Sequence, residues 1–209
     1  MKTFSRFMLT AFIVSLCTSL ANAAVITTTF VSNNEGDGNM FDVATSVNNV
    51  RITNLSVHTF AETGTQTLYL YTRTGTFLGN ESSSAGWTLH DTVVVNNAAT
   101  PVNMDILDFD LGANSISGFY VVGDLSNSSL RYTNGGFSVA DADLTLSGGV
   151  GISFRGGNHF SPAAGTVFSP RTWNGSITYD VLAVPEPSSA ALILGALGLL
   201  VVGRRITRH

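Results

Sequence analysis

The chain has 209 residues, a formal net charge of −4 and only ten basic side chains, which disfavours binding to the phosphates of nucleic acids. Its hydrophobic residues make up 44% of the chain, and two uninterrupted apolar runs lie near its two ends. The middle is rich in Thr, Ser, Asn and Gly, so the composition does not fit a polytopic membrane protein.

The first 23 residues have the three parts of a secretory signal peptide. Lys2 and Arg6 carry positive charge ahead of an apolar run over residues 7–20. The run ends in Ala21-Asn22-Ala23, a cleavage motif of small residues, so we expect signal peptidase to cut between Ala23 and Ala24. The sequence therefore predicts a signal helix over residues 1–23 and export through the Sec translocon.

Residues 24–184 are predicted to form one exported domain without disulfides, because the only cysteine, Cys17, lies inside the signal peptide. This part carries five arginines, no lysine and thirteen acidic residues, which gives it a net charge of −8. Runs of β-branched and aromatic residues alternate here with clusters of Gly, Asn, Ser and Asp. The pattern indicates an all-β fold, an antiparallel β-sandwich that is jelly-roll-like.

The strands can be placed along the chain from these alternating runs. The alternation changes register near Thr53-Asn54, which predicts a β-bulge. Ile116–Val122 is apolar on both faces and is typical of a central strand. The predicted strands are Ala24–Val31, Val50–Thr59, Thr67–Arg73, Trp87–Val95, Val102–Leu111, Ile116–Val122, Ser129–Thr133, Phe137–Val139, Leu144–Leu146, Val150–Phe154, Thr166–Phe168 and Ile177–Leu182.

The last 25 residues, 185–209, consist of three parts in a fixed order. Pro185, Glu186 and Pro187 form a segment that the two prolines keep extended. The apolar run over residues 190–202 would form a helix about 20 Å long, short for a hydrocarbon core of about 30 Å. The basic tail, residues 203–209, contains Arg204 and Arg205 and should stay cytoplasmic, which places the domain on the outer side of the membrane.

This arrangement closely resembles the PEP-CTERM sorting signal of exported bacterial proteins, which are substrates of exosortase. The resemblance implies that exosortase recognises Pro185-Glu186-Pro187 and cuts near it, after transient anchoring in the inner membrane with the domain facing the periplasm. The final location would then be the cell surface or the extracellular matrix, for instance that of a biofilm. An ordinary C-terminal membrane anchor is the alternative.

A second resemblance concerns the domain itself. The segment Arg171–Tyr179, together with Gly86-Trp87-Thr88-Leu89, is similar to the choice-of-anchor domains of exported bacterial proteins. This resemblance implies a β-rich surface domain and assigns no activity.

Residues with metal-binding or catalytic potential are few. Oxygen-bearing side chains and glycines over residues 33–39 suit a calcium ion, although a polar turn is the simpler interpretation. Asp141-Ala142-Asp143 is a weaker candidate of the same kind. The histidines show no metal-ligand spacing, and no catalytic motif is recognisable, so we predict no catalytic residue, no required cofactor and no enzyme activity. The calcium candidates are Asn33, Glu35, Asp37 and Asn39.

Two functions remain for the domain beside a structural or adhesive role at the cell surface. Aromatic side chains on a sheet face would make it a carbohydrate-binding module for extracellular polysaccharide, with Tyr69, Tyr71, Trp87 and Trp173 as candidates. A glycan-active enzyme would need two carboxylates in a cleft, for which Asp105, Asp108 and Asp110 are the nearest candidates.

Overall fold

The computed structural model describes residues 23–124, 129–154, 158–160 and 166–182. All regular elements in these ranges are β-strands, and each strand pairs antiparallel with its neighbours. The strands are β1 (Ala23–Thr27), β2 (Asn34–Gly36), β3 (Gly38–Thr45), β4 (Asn49–Val57), β5 (Thr65–Thr74), β6 (Thr88–Asn96), β7 (Val102–Met104), β8 (Phe109–Leu111), β9 (Ile116–Gly123), β10 (Leu130–Asn134), β11 (Ser138–Ala140), β12 (Leu144–Ile152), β13 (Val167–Phe168), β14 (Arg171–Trp173) and β15 (Gly175–Leu182).

The strands form three sheets. A five-stranded sheet has the order β1-β15-β4-β7, with β8 also paired to β4. A seven-stranded sheet has the order β11-β12-β3-β9-β5-β6, with β13 also paired to β12. A small sheet has the order β14-β10-β2. The antiparallel all-β prediction is therefore confirmed, whereas the jelly-roll-like arrangement stays a prediction.

The five-stranded and seven-stranded sheets share one hydrophobic core. Ile52, Leu55 and Ile177 from the first sheet and Phe41 and Phe119 from the second are fully buried in the same cluster. Each such side chain contributes about 1.5–3 kcal/mol of transfer free energy when it is buried completely. Because one cluster draws on the facing sides of both sheets, the two sheets pack as a β-sandwich.

Two details of the sandwich were predictable from the sequence. The pairing of β4 with β15 shifts register between Thr178 and Tyr179, whose partners are Asn54 and Ile52, so Thr53 is the extra residue of a bulge. Strand β9 lies inside the seven-stranded sheet between β3 and β5, as expected of a central strand. Both predictions are confirmed.

The interpretation of residues 33–39 as a turn was wrong. The segment forms β2 and the beginning of β3, and β3 then runs through the middle of the seven-stranded sheet. Glycine is required at Gly38, because a Cβ atom there would lie 2.7 Å from both the Val121 carbonyl oxygen and the Tyr120 ring. The glycines that suggested a turn thus allow close packing inside a sheet.

Residues 102–111 were predicted to form one strand but form two, β7 and β8, which both pair with β4. Between the two strands, the backbone N–H of Leu107 donates a hydrogen bond to the Asp91 carboxylate, at 2.7 Å. The main chain is thereby held by a side chain of β6 instead of by the sheet ladder.

The two short strands predicted at residues 144–146 and 150–154 join into one, β12. Its pairing with β3 shifts register between Ser147 and Val150, which leaves Gly148 and Gly149 as bulge residues. Gly149 has a φ of 136°, and a Cβ atom there would lie 2.1 Å from the Arg171 carbonyl oxygen. Only glycine fits this bend.

The apolar run over residues 190–202 and the predicted signal helix over residues 1–23, apart from Ala23, lie outside the described residues. Among the residues that are described, no helix is long and apolar enough to cross a bilayer.

Candidate functional site

The two ends of the domain lie side by side. Ala23 and Ala24 begin β1 and pair with Asp180 and Tyr179 of β15, the last strand. Partners in an antiparallel pair have Cα atoms only about 4.5–5.5 Å apart. The bond predicted for signal peptidase is therefore adjacent to the point where β15 ends, at Leu182.

The sorting motif and basic stop predicted from the sequence lie outside the described residues. This applies to Pro185, Glu186, Pro187, Arg204 and Arg205, and to the apolar run over residues 190–202. Their position along the chain is nevertheless informative, because the motif begins three residues after β15. Three residues span at most about 11 Å.

A second feature is a strip of aromatic rings on the outer face of the seven-stranded sheet. Along β5, Leu68 and Leu70 face the core, so the intervening Tyr69 and Tyr71 project from the opposite face. The ring centroid of His159 lies 4.7 Å from that of Tyr69 and 5.7 Å from that of Tyr71. The four half-buried members of this outer aromatic strip are Tyr69, Tyr71, Trp87 and His159.

Buried rings form the floor of the strip. Phe160 is 5.0 Å from Tyr71, 5.8 Å from Trp87 and 5.4 Å from Tyr120, measured between ring centroids. Phe154 lies 5.0 Å from His159 in the same way. The floor residues Tyr120, Phe154 and Phe160 are buried in a second hydrophobic cluster, separate from the core between the sheets.

Hydrogen bonds fix His159 in this environment. Its Nδ1 lies 3.0 Å from the Tyr71 hydroxyl, and its carbonyl oxygen accepts a hydrogen bond from the Tyr120 hydroxyl at 2.9 Å. Burial lowers the pKa of His159, while the charge of Asp124 acts in the opposite direction. Burial also raises the pKa of Tyr71 and, much more strongly, that of Tyr120. Burial thus favours the neutral form of the His159 imidazole.

Trp87 ends the strip on its other side. The indole N–H donates to the Asn80 carbonyl oxygen at 3.1 Å, and the guanidinium carbon of Arg73 lies 5.6 Å from the ring centroid. Arg73 Nε and Nη1 are buried without a hydrogen-bond partner. The alkyl part of Arg73 lies over Gly118, where a Cβ atom would come within 2.8 Å of it. Arg73 thus makes a cation–π contact with the indole ring of Trp87.

The expectation that Trp173 belongs to an exposed aromatic surface was wrong. Trp173 is 1% exposed and stacks on Phe41 in the core between the sheets, with ring centroids 4.4 Å apart. Its position at the end of β14 turns it inward, since the large apolar ring gains more free energy in the core than at the surface.

The calcium candidates are distributed over different environments. Asn33 and Glu35 are exposed, whereas Asp37 and Asn39 are buried. Asp37 Oδ2 accepts hydrogen bonds from the Phe154 N–H at 2.7 Å and the Ser153 hydroxyl at 3.0 Å. Within the described ranges, no group of three or more His, Cys, Asp or Glu side chains is placed to hold a metal ion. Calcium binding at these residues stays a prediction.

Of the other acidic candidates, Asp141 and Asp110 have structural partners, whereas Asp105 and Asp108 are exposed. Asp141 Oδ1 accepts the backbone N–H groups of Asp143 and Leu144, and Asp141 Oδ2 accepts the Tyr179 hydroxyl at 2.8 Å. Burial, followed by this hydrogen bond, raises the pKa of Tyr179. Asp110 forms an exposed ion pair with Arg51 at 2.7 Å, and the hydrogen bond from the guanidinium lowers the pKa of Asp110.

The other two histidines among the described residues, His58 and His90, serve ordinary packing. His90 Nε2 lies 2.8 Å from the Leu107 carbonyl oxygen, and its ring lies 4.1 Å from that of Phe109. His58 packs against Phe30 with ring centroids 6.2 Å apart. Burial and then the charge of Arg131 lower the pKa of His58.

Sequence reasoning named three members of the strip but missed His159 and its floor. The alternation along β5 identified Tyr69 and Tyr71, because strand periodicity is a local signal. His159 and Phe160 come from a loop, and no local pattern indicates which strand such a loop will cover.

A comparison with known protein families finds a match at the C-terminal end of this sequence. Residues 183–208 match the PEP-CTERM protein-sorting motif. The protein thus carries the C-terminal sorting signal of an exported protein, and the signal implies an exosortase as its processing partner. No curated protein matches the chain. The similarity of the domain to choice-of-anchor domains stays a prediction.

Proposed function

We propose that this protein is an exported bacterial surface or extracellular-matrix protein with a structural or adhesive role and no enzyme activity. The observation that carries the proposal is the PEP-CTERM motif at residues 183–208, which begins directly after β15. In this scheme the Sec translocon and signal peptidase act first. The apolar run over residues 190–202 then holds the protein in the inner membrane until exosortase cuts near Pro185-Glu186-Pro187.

The fold brings the two ends of the domain together. Because Ala23 pairs with Asp180, both processing positions adjoin the same end of the five-stranded sheet. Pro185 follows Leu182 by three residues, which span at most about 11 Å, so in this scheme exosortase works beside a folded strand.

The hydrogen bonds accepted by several acidic side chains support a domain without enzyme activity. Asp42 accepts the Phe77 N–H at 2.9 Å, Asp124 accepts the Thr67 N–H at 3.0 Å, and Asp91 accepts the Leu107 N–H. Each of these carboxylates ties a loop or strand to its neighbour through a backbone hydrogen bond. This is the arrangement expected of a scaffold whose carboxylates stabilise loops.

The proposal is tested by replacing Pro185, Glu186 and Pro187 together with alanine in the full chain. We expect the unprocessed protein to accumulate in the membrane, because the extended recognition segment is lost. Intact-mass spectrometry reads out which termini remain on the protein recovered from its host. Replacing Ser188 and Ser189 with alanine is the matched control and should leave processing unchanged. Normal processing of the triple variant would refute the proposal.

Polysaccharide binding is the second candidate function of the domain. The observation that favours it is the outer aromatic strip, which gathers half-buried rings on one sheet face. Aromatic rings of this kind offer apolar surface together with a polar edge. A glycan array probed with the folded, exported protein tests this candidate, and the absence of any signal would count against it.

A further inference from the structure

The surface part of the outer aromatic strip is small and well defined. Tyr69 and Tyr71 occupy alternate positions on β5, so their side chains lie about 6.5–7 Å apart along the strand. His159 contacts both rings from the loop side. Leu89 of β6 pairs with Tyr71 and is 48% exposed, which extends the apolar surface across the neighbouring strand.

Two polar groups of this surface are available for hydrogen bonds to a ligand. Within the described residues, neither the Tyr69 hydroxyl nor His159 Nε2 has a hydrogen-bond partner, and neither atom is among the buried unpaired ones. Both therefore reach solvent. His159 Nε2 donates when Nδ1 accepts from the Tyr71 hydroxyl and accepts when Nδ1 donates to it, so Nε2 can form a hydrogen bond in either tautomer. The Tyr69 hydroxyl can donate and accept.

The rings are held in place before any ligand arrives. Phe154, Phe160 and Tyr120 pack against them, and the Tyr120 hydroxyl anchors the His159 backbone. A surface that is already ordered loses less conformational entropy on binding, which raises the affinity available from a few contacts.

The charges around the strip restrict the kind of ligand. Asp124 and Arg73 stand near its two ends, and both are engaged, Asp124 with the Thr67 N–H and Arg73 with the Trp87 ring. Between them, Tyr69, Tyr71, His159 and Leu89 carry no formal charge when the histidine is neutral. With five arginines against thirteen acidic residues, residues 24–184 repel polyanions.

We propose that the Tyr69–Tyr71–His159 surface binds a neutral pyranose polymer rather than an acidic one. The apolar C–H faces of the sugar rings stack on the two tyrosines, while the Tyr69 hydroxyl and His159 Nε2 form hydrogen bonds with sugar hydroxyls. This inference rests on the second candidate function, polysaccharide binding, and specifies its site and ligand class.

The test is affinity electrophoresis of the exported full-chain product in native gels. The gels contain hydroxyethylcellulose, galactomannan or soluble starch as neutral polymers, or alginate as the acidic one. We expect retardation in at least one neutral polymer and none in alginate. Tyr69→Ala should weaken binding about tenfold or more, equivalent to about 1.4 kcal/mol. Tyr69→Phe keeps the ring and should lose only a few-fold, and His159→Gln should fall between them.

Phe168→Ala is the matched control, because Phe168 is an aromatic residue of the same sheet, 36% exposed, that lies outside the strip. It should bind like the wild type. Thermal melts show whether each variant is folded, and Tyr69→Phe keeps the test decisive if Tyr69→Ala unfolds.

Three results would overturn the inference: no retardation in any neutral polymer, retardation in alginate alone, or unchanged binding by both Tyr69→Ala and His159→Gln. Failure here is distinguishable from failure of exosortase processing. The intact mass of the same variants reports on the C-terminus independently of any sugar.

Discussion

The two faces of the seven-stranded sheet differ in what they pack against. The inner face, with Phe41 and Phe119, meets a second sheet, and its largest side chains are fully buried. Among the described residues, the outer face, with Tyr69, Tyr71 and Tyr120, packs against the loop residues Phe77, Phe154 and Phe160 and against Val167 of β13. One face of the sheet is therefore buried against the second sheet, whereas the other face carries half-buried aromatic rings with polar groups.

The difference separates two roles of aromatic residues in this fold. On the inner face, Trp173 and Phe41 stack without solvent contact and stabilise the sandwich. On the outer face, Trp87 is half-buried, donates to a loop carbonyl and holds Arg73. The inner rings contribute to the stability of the domain, whereas the outer rings form the surface that we propose as the polysaccharide-binding site.

The comparison is tested most strongly by truncating one tryptophan on each face. Trp173→Ala should lower the free energy of unfolding by about 3–5 kcal/mol, as expected for a large ring removed from a closed core. Trp87→Ala should cost less than half of that, because its ring is only half-buried. Urea denaturation of both variants measures the difference, and equal losses would contradict the assignment of roles.

A smaller effect is expected from removing one hydroxyl beneath the outer strip. Tyr120→Phe leaves the ring in place but deprives the His159 carbonyl of a buried donor, which should cost about 1 kcal/mol. For a domain of this size the melting temperature should fall by about 2–4 °C. Fluorescence of Trp87, whose ring lies 6.0 Å from Tyr120, should change as well, while that of Trp173 should not. A change confined to Trp173 would argue against two independent faces.

The smallest effect is expected from mild acid, and it should appear on the outer face first. Burial lowers the pKa of His159 below its ordinary value of 6.5, so the unfolded chain binds a proton more readily than the folded one. Stability is therefore complete above pH 6.5 and is lost as the pH falls through that value towards the lower folded pKa. On protonation both ring nitrogens of His159 become donors, so the Tyr71 hydroxyl must then accept from Nδ1.

Melting curves between pH 7.5 and pH 5 measure this loss in wild type and in His159→Gln. Burial also lowers the pKa of His58, so the variant His58→Gln is needed to subtract the contribution of His58 to the pH dependence of the melting temperature. A melting temperature with identical pH dependence in wild type and His159→Gln would exclude a role for His159.

Local patterns predicted much of the sandwich. The alternation along β5 and the register change at Thr53 depend only on neighbouring residues, and both were visible in the sequence. Strand β3 was missed because Gly38 and Asn39 are typical of turns, and their burial depends on distant partners such as Tyr120 and Val121.

Part of the candidate site was likewise predictable from the sequence, and part was not. Tyr69 and Tyr71 follow from strand periodicity, but the loop that brings His159 over them is positioned by tertiary contacts. Trp173 was named as a candidate for an aromatic surface, but its ring is buried in the core between the sheets.

The pairing of the first strand with the last has a consequence for the timing of folding. Export feeds the chain through the membrane from its N-terminus, so β1 and β4 emerge long before β15, the strand that must lie between them. Contacts between residues so far apart in sequence form slowly, because a long loop must close before they are gained. The five-stranded sheet is thus completed only when almost the whole domain has crossed, at the moment when the sorting segment itself reaches the membrane.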